Sequence, residues 1–143
     1  MIIIFSNQSD DIVKAKSEDQ VPVQTSDEAK EAQQVLEENL RFANEKDVTG
    51  YVQTLIPQAR EDTAKEMNVF FEEFDVENTL QSFEMLKLKE DHMLVETKIK
   101  TINKGSDKKQ YRDHVATANQ TFVYQDGQWL IEQTVMIKTD FIH

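Results

Sequence analysis

The sequence of 143 residues contains no cysteine, and it contains only three glycines and two prolines. Without cysteine the chain has no disulfide bond and no thiolate chemistry. So few glycines leave no glycine-rich loop of the kind that binds phosphate groups. No serine lies in the nucleophile elbow that is typical of many hydrolases. These absences exclude several common kinds of catalytic site, and we expect no cofactor.

Histidine is also scarce, and His92, His114 and His143 are far apart in the chain. Transition-metal sites need clustered ligands at short spacings, and no such spacing occurs. The acidic pair Asp10-Asp11 is too sparse for a calcium-binding loop. We therefore predict no metal site.

Basic residues are outnumbered, because 16 lysines and arginines stand against 27 aspartates and glutamates, for a net charge of −11. An acidic chain is a poor partner for nucleic acids and anionic membranes. The sequence also lacks the basic stripe and exposed aromatics that are typical of nucleic-acid-binding proteins. We expect no nucleic-acid partner, and the charge is explained by solubility.

No apolar run is long enough to cross a bilayer. The stretch Met1–Phe5 is apolar but has neither the basic start nor the cleavage site of a signal peptide. It is interpreted as an edge strand, as a strand that pairs with a partner, or as the end of a membrane anchor whose start is missing. Residues 6–26 are polar and have the composition of a linker or stalk. We favour an extracytoplasmic domain, anchored or secreted, over a cytoplasmic one.

The first helix is predicted to start near Ser26 and to end near Lys46. Thr25 and Glu28 form a capping box at its start, and alanines and leucines recur at helical spacing behind them. A short second helix follows over Val48–Ile56. Its Gly50 lowers helix propensity and indicates a close contact with the backbone at that point.

The third helix is predicted from about Gln58 to Phe74, after Pro57 has ended the second. It carries Phe70, Phe71 and Phe74 near its end. Aromatic residues at helical spacing are typical of a core, and the alternative is the wall of a ligand cavity.

The period then changes from 3.6 to 2, which predicts strands. They cover Thr79–Lys89, Met93–Ile102, Tyr111–Gln125 and Gln128–Thr139. Three helices followed by four antiparallel strands predict a single α+β domain over residues 27–143, with the helices packed on one face of the sheet.

The last two strands form a hairpin around the turn Asp126-Gly127. Symmetric pairing about this turn predicts which residues lie opposite each other. The predicted pairs are Tyr124–Trp129, Phe122–Ile131, Gln120–Gln133, Ala118–Val135, Ala116–Ile137 and His114–Thr139. All lie on one largely apolar face, and only an odd-length loop or a β-bulge would change the register. The opposite face is mixed and contacts water or a partner.

The order of elements and three stretches, Phe42–Tyr51, Phe70–Asp75 and Asp126–Ile131, resemble the nuclear transport factor 2-like superfamily. The resemblance covers residues 27–143 and implies a curved, cone-like α+β fold with a pocket between helices and sheet. Known members include isomerases and dehydratases as well as proteins that only bind ligands or other proteins. The resemblance also implies homodimerisation through the outer sheet face, which is common in the superfamily.

Polar and aromatic residues of the predicted inner face are the candidates for lining such a pocket. The six candidates are Tyr51, His114, Gln120, Tyr124, Trp129 and Gln133. No carboxylate lies on the inner face of the last two strands, and Asp113 is predicted to point outward. We therefore assign no catalytic residue. Arg112 and His114 form either an anion-binding pair at the mouth of the cone or a solvated rim.

Two functions follow from this pattern. The first is a non-catalytic binding domain that uses the pocket, the outer sheet face or both, with a small apolar or amphipathic ligand. The second is an isomerase, dehydratase or cyclase that uses His114 with Tyr51 or Tyr124 as acid–base groups. A third, weaker interpretation is a stalked domain that senses or scaffolds components of the cell envelope.

Overall fold

The structure, a computed structural model, describes residues 27–106 and 111–142. Our predictions for Met1–Phe5, for the linker over residues 6–26 and for the capping residue Thr25 lie outside the described residues. The described part consists of three helices followed by a four-stranded antiparallel sheet in the order β1-β2-β3-β4. This is the predicted α+β architecture.

Helix α1 spans Asp27–Glu45, and its buried residues recur at helical spacing. Helix α2 is shorter than predicted and spans Val48–Gln53. Its N-cap is Asp47, whose Oδ1 accepts a hydrogen bond from the Gly50 backbone N–H at 3.0 Å. Helix α3 spans Pro57–Glu73 and has proline in its first turn, where the missing N–H is not needed.

The early end of α2 has a tertiary cause. Residues 54–56 leave the helix to pair with the last strand through a parallel bridge between Leu55 and Ile131. The Ile56 amide donates to the Ile131 carbonyl at 3.0 Å, and the Ile131 amide donates to the Thr54 carbonyl at 2.9 Å. These bonds attach the helical layer to the sheet.

The strands are β1 Val76–Lys89, β2 His92–Asn103, β3 His114–Gln125 and β4 Gln128–Phe141. The first strand therefore begins three residues before its predicted start, and the third begins three residues after it. The predicted turn is confirmed, since Asp126 and Gly127 both have positive φ, at 55° and 82°. Two positive φ values in a two-residue loop match the right-handed twist of the flanking strands.

Two β-bulges in β4 change the predicted hairpin register. Tyr124–Trp129 and Phe122–Ile131 pair as predicted, but beyond them β4 contains one extra residue opposite Thr121/Phe122 and another opposite Thr117/Ala118. The observed partner of Gln120 is Thr134 rather than Gln133, and that of His114 is Phe141 rather than Thr139. The predictions for Ala118 and Ala116 are wrong for the same reason, because their partners are Met136 and Thr139.

The core lies between the helices and one sheet face. Its largest fully buried side chains include Leu36, Leu55, Met93 and Phe122, which come from the helical layer and from two strands. Phe71 of α3 contacts Tyr51 of α2 edge to face, with ring centroids 6.4 Å apart. The sheet bends around this core, and the bulges in β1 and β4 supply the bend.

Candidate ligand cavity

A cavity of about 280 Å³ lies between the helices and the inner face of the sheet. All three helices and all four strands contribute to its wall, which is mostly aliphatic and aromatic. The exposed lining residue, Glu66, marks its mouth, and the half-buried lining residues are Phe70, Asn78, Ile99, Tyr111, His114 and Met136. A mostly apolar cavity with few polar groups is the usual form of a small-molecule site.

Three of the six candidate residues line this cavity: Tyr51, Gln120 and His114. Tyr51 belongs to α2 and is buried, with 4% of its surface exposed. Gln120 comes from β3 and is equally buried. His114 begins β3 and is half-buried.

The other three candidates lie elsewhere. Tyr124 is at the turn end of the hairpin, 44% exposed, with its ring 5.3 Å from that of Trp129. Trp129 is a buried core residue that does not line the cavity. Gln133 pairs with Thr121, an outer-face position, because the first bulge in β4 moves it away from the inner row.

A hydrogen-bonded chain holds Gln120 in place. The Thr134 hydroxyl donates to Gln120 Oε1 at 2.8 Å, and Gln120 Nε2 donates to Thr97 Oγ1 at 3.4 Å. Thr97 in turn donates to the Ala118 carbonyl at 3.3 Å. The amide pair predicted between Gln120 and Gln133 is thus replaced by an amide–hydroxyl chain across three strands.

His114 has its ring nitrogen Nδ1 2.8 Å from the Arg112 carbonyl oxygen. Nδ1 therefore carries a proton, which leaves Nε2 as the acceptor of the neutral ring. The side chain of Arg112 is exposed and stacks on Phe141, with the guanidinium carbon 4.0 Å from the ring centroid. Because Arg112 does not line the cavity, the two residues do not form an anion site there.

Tyr111 is a cavity residue that the sequence pattern did not single out. Its ring packs against Phe70 and Phe74 with centroid distances of 5.4 and 5.2 Å, and against His114 at 5.5 Å. Burial raises the pKa of its hydroxyl above the ordinary tyrosine value. The aromatic residues at the end of α3 were the sequence signal for this cluster. Phe70 has both of the roles considered for it, because it packs against the core and also lines the cavity.

Tyr111 is held by Asn103, the last residue of β2. Asn103 Nδ2 donates to the Tyr111 carbonyl at 2.8 Å. The backbone N–H of Asn103 donates to Asp113 Oδ1 at 2.7 Å. Asp113, which the sequence pattern placed on the outer side, is 5% exposed. Its carboxylate satisfies a buried backbone donor rather than facing water.

Two further lining residues, Glu66 and Asn39, were also missed. Glu66 is an exposed carboxylate of α3 at the mouth. Asn39 is a buried amide of α1 that donates from Nδ2 to Thr54 Oγ1 at 2.9 Å. Its position on the buried stripe, three residues after Leu36, is a signal that the sequence carried, because polar residues on an apolar stripe need a partner.

Within residues 27–106 and 111–142 no group of three or more histidine, aspartate or glutamate side chains is arranged to hold a metal ion. In the same residues no helix is both long and apolar enough to cross a membrane.

Solved structures with the same architecture define the class of protein. An uncharacterised protein with a cystatin-like fold from Caulobacter vibrioides superposes with a TM-score of 0.66 at 11% identity, covering 79% of this chain and 92% of that one. A candidate dehydratase of the nuclear transport factor 2-like family from Streptomyces avermitilis gives 0.64 at 8% identity, covering 77% and 96%. A candidate aromatic ring hydroxylase from Novosphingobium aromaticivorans gives 0.68 at 11%, covering 87% and 93%. The fold is therefore the nuclear transport factor 2-like, or cystatin-like, cone.

Residues 34–142 match the sequence profile of the C-terminal domain of the anti-sigma-I factor RsgI9. The match spans most of the chain, and the protein belongs to this domain family. A comparison with curated proteins finds no match.

Proposed function

We propose that this domain is a non-catalytic binding domain that takes a small apolar or amphipathic ligand into the cavity. The observation that supports it is the chemistry of the wall. The buried lining residues are apolar or are neutral amides and hydroxyls, and the lining carboxylate, Glu66, is exposed at the mouth. A wall of this kind binds a ligand by burying its apolar surface, and its few polar groups orient the ligand.

The family to which the domain belongs suggests what such binding is used for. The matched profile is that of a domain at the C-terminal end of an anti-sigma factor. A regulator of this kind needs a part that responds to a signal, and a ligand-binding cone is suited to that task. We propose that the domain is this sensory part and that it works outside the membrane, attached through its N-terminal side.

Filling the cavity tests the proposal. Ala118 of β3 lines the cavity, whereas Thr121 on the same strand lies on the opposite face. Ala118→Leu should reduce the affinity for ethylbenzene, measured by calorimetry or by chemical shifts, by about tenfold or more. Thr121→Leu is the matched control and should bind like the original protein. The proposal fails if ethylbenzene does not bind, or if Ala118→Leu binds it unchanged while remaining folded.

A second candidate is an enzyme of the isomerase, dehydratase or cyclase type. His114 and Tyr51 both line the cavity, and the orientation of His114 leaves Nε2 as a base. Against it, the hydrogen bond and the ring contacts of His114 among the described residues are to Arg112, Tyr111 and Phe141, none of which is a carboxylate. Turnover of a bound ligand that is lost in His114→Ala, with binding retained, would favour the enzyme over the binding domain.

We also propose a homodimer through the outer sheet face, whose charges are arranged in two zones. Glu84 and Glu96 lie directly opposite each other on this face. Lys98 and Lys138 flank Thr117 on its two sides. A two-fold axis between these zones would place the acidic zone of one copy over the basic zone of the other, which favours a second copy as the occupant.

Sedimentation equilibrium tests the dimer. The original protein should sediment as a dimer at micromolar concentration and shift toward monomer in high salt. Val135→Glu, a half-buried outer-face position, should sediment as a monomer. Val69→Glu changes an exposed residue of α3 and is the control, which should still sediment as a dimer. A monodisperse monomer at high protein concentration would reject the dimer and leave the cavity proposal intact.

A further inference from the structure

The cavity wall contains a hydrogen-bond acceptor that no described residue uses. It belongs to Asn39, which lines the cavity and has 6% of its surface exposed. Its Nδ2 donates to Thr54 Oγ1 at 2.9 Å. Within residues 27–106 and 111–142, Oδ1 accepts no hydrogen bond. Because Asn39 lines the cavity, this oxygen is available to accept a hydrogen bond from a molecule inside it.

The orientation of this amide is determined by its neighbour. Thr54 Oγ1 lies 2.6 Å from the Tyr51 carbonyl oxygen, which can only accept. The hydroxyl therefore gives its single proton to that carbonyl and must accept from Asn39. Rotating the Asn39 amide by 180° would place two acceptors against each other. Nδ2 is consequently held against Thr54, and Oδ1 is left on the other side.

The second buried amide of the wall is constrained in the same way. Thr97 gives its proton to the Ala118 carbonyl, so it accepts from Gln120 Nε2. Gln120 Oε1 then accepts from Thr134 and keeps a second lone pair. Helix α1 and strand β3 thus each present an amide in a fixed orientation, and in each the carbonyl oxygen has capacity left.

The charge and the size of the cavity limit the ligand further. Glu66 places a negative charge at the mouth, and Arg112 is stacked on Phe141 away from the wall. No lysine or arginine is among the described residues that line the cavity, so an anionic ligand would meet repulsion at the mouth. A cavity of about 150 Å³ accepts benzene, so 280 Å³ has room for a ligand of one or two rings.

We propose that the ligand is an uncharged molecule with an apolar body and at least one hydroxyl or N–H donor, which Asn39 Oδ1 accepts. This inference rests on the proposed binding function and specifies its ligand class. It assigns Asn39 as the residue that selects a donor and Thr54 as the residue that positions Asn39. A ligand without a donor would leave Oδ1 unsatisfied and bind less tightly.

Two probes of nearly equal size test this selection. 4-Ethylphenol carries a hydroxyl where 4-ethyltoluene carries a methyl group. Their dissociation constants are measured by calorimetry on the original protein and on Asn39→Leu. The ratio of the two constants should shift against 4-ethylphenol by about fivefold in Asn39→Leu, the size expected for one net hydrogen bond. Comparing ratios cancels the different hydration of the two probes.

Two further variants control the experiment. Asn119→Leu removes a buried amide from the outer sheet face and should leave the ratio unchanged. Thr54→Val keeps the shape of the side chain but frees the Asn39 amide to rotate, so the ratio should shift in the same direction as in Asn39→Leu. Thr54→Val also provides the test if Asn39→Leu does not fold.

The outcomes separate the two proposals. If neither probe binds, the proposed binding function is overturned and this inference with it. If both probes bind and their ratio is the same in the original protein, Asn39→Leu and Thr54→Val, the binding function stands and the donor selection is overturned. A shift of the Asn39 side-chain amide resonance with 4-ethylphenol, absent with 4-ethyltoluene, would support the inference directly.

Discussion

Gly50 shows how a single residue sets the packing of the helical layer. A methyl group on its Cα would overlap the ring of Phe42, and the Arg41 guanidinium carbon lies 4.4 Å from the centroid of the same ring. The close contact that the sequence predicted at Gly50 is confirmed. Glycine is needed here for space rather than for an unusual φ angle.

Gly50→Ala should therefore destabilise the fold, although alanine ordinarily favours a helix. Helix propensity contributes about 1 kcal/mol in favour of the variant, and overpacking costs about 1–3 kcal/mol. We expect a net loss of about 1 kcal/mol in the free energy of unfolding by urea denaturation. The same change made together with Phe42→Ala removes the overlap and should become stabilising relative to Phe42→Ala alone. Destabilisation in both backgrounds would contradict the packing explanation.

Tyr111 makes stability depend on pH in the alkaline range. Its pKa in the folded state is raised by burial, so the folded state holds the proton more tightly than the unfolded chain does. The contribution is fully present below the ordinary pKa of about 10, and it is lost as pH rises through the folded-state value.

The free energy of unfolding should therefore fall above about pH 10, and Tyr111→Phe should reduce that fall. Tyr124→Phe is the control, because Tyr124 is largely exposed at the end of the hairpin. Urea denaturation between pH 8 and pH 11 measures both variants. An alkaline loss of the same size in Tyr111→Phe would rule out a contribution from this hydroxyl.

At the scale of elements, the bulges of β4 decide which residues reach the cavity. The first bulge lies between the pairs Phe122–Ile131 and Thr121–Gln133, so Glu132 is the extra residue. If Glu132 were paired with Thr121 instead, every later side chain of β4 would change face. Thr134 and Met136 line the cavity only because the bulge is present.

Deleting Glu132 should remove the bulge without changing the partners of β4, because Gln133 would follow Ile131 directly and still lie opposite Thr121. We expect a loss of about 1–3 kcal/mol in the free energy of unfolding, since the bend that the bulge gives the strand is lost. Glu132→Ala keeps the extra residue and should cost under about 0.5 kcal/mol. Thermal denaturation compares the two variants. Equal stability of the deletion and the substitution would show that the strand adapts without the bulge.

At the scale of the whole molecule, the net charge of −11 repels itself in any compact state. Salt screens this repulsion, with a Debye length of about 10 Å at 0.1 M. The melting temperature should therefore rise by a few degrees between about 0.02 and 0.3 M sodium chloride.

Replacing the exposed Glu31 and Glu38 by lysine reduces the negative charge by two units at each position. This double variant should show a smaller rise in melting temperature over the same salt range. The double variant with Glu31→Gln and Glu38→Gln changes the charge by one unit at each position, so its rise in melting temperature should be intermediate. An unchanged or falling melting temperature with added salt would show that attractive ion pairs outweigh the repulsion.

Much of the architecture was predictable from local pattern. Helices α1 and α3 end within one residue of their predicted positions, whereas α2 ends three residues early because Leu55 bridges to Ile131. The Asp126-Gly127 turn and the two pairs beside it were correct, because a turn determines its neighbours through backbone geometry. The cavity was predictable only in part, since Tyr51, His114 and Gln120 line it while Tyr124, Trp129 and Gln133 do not.

The sequence by itself determined the order of three helices and four strands, because hydrophobic period and turn residues act over a few neighbouring positions. It also determined the acidic charge and the absence of thiolate chemistry. Only the tertiary structure decided which side chains meet in the cavity. A bulge has no sequence signal that is visible in a single strand, and the fixed orientation of Asn39 depends on Thr54, fifteen residues away. Such contacts depend on distant parts of the chain packing together, which local pattern does not encode.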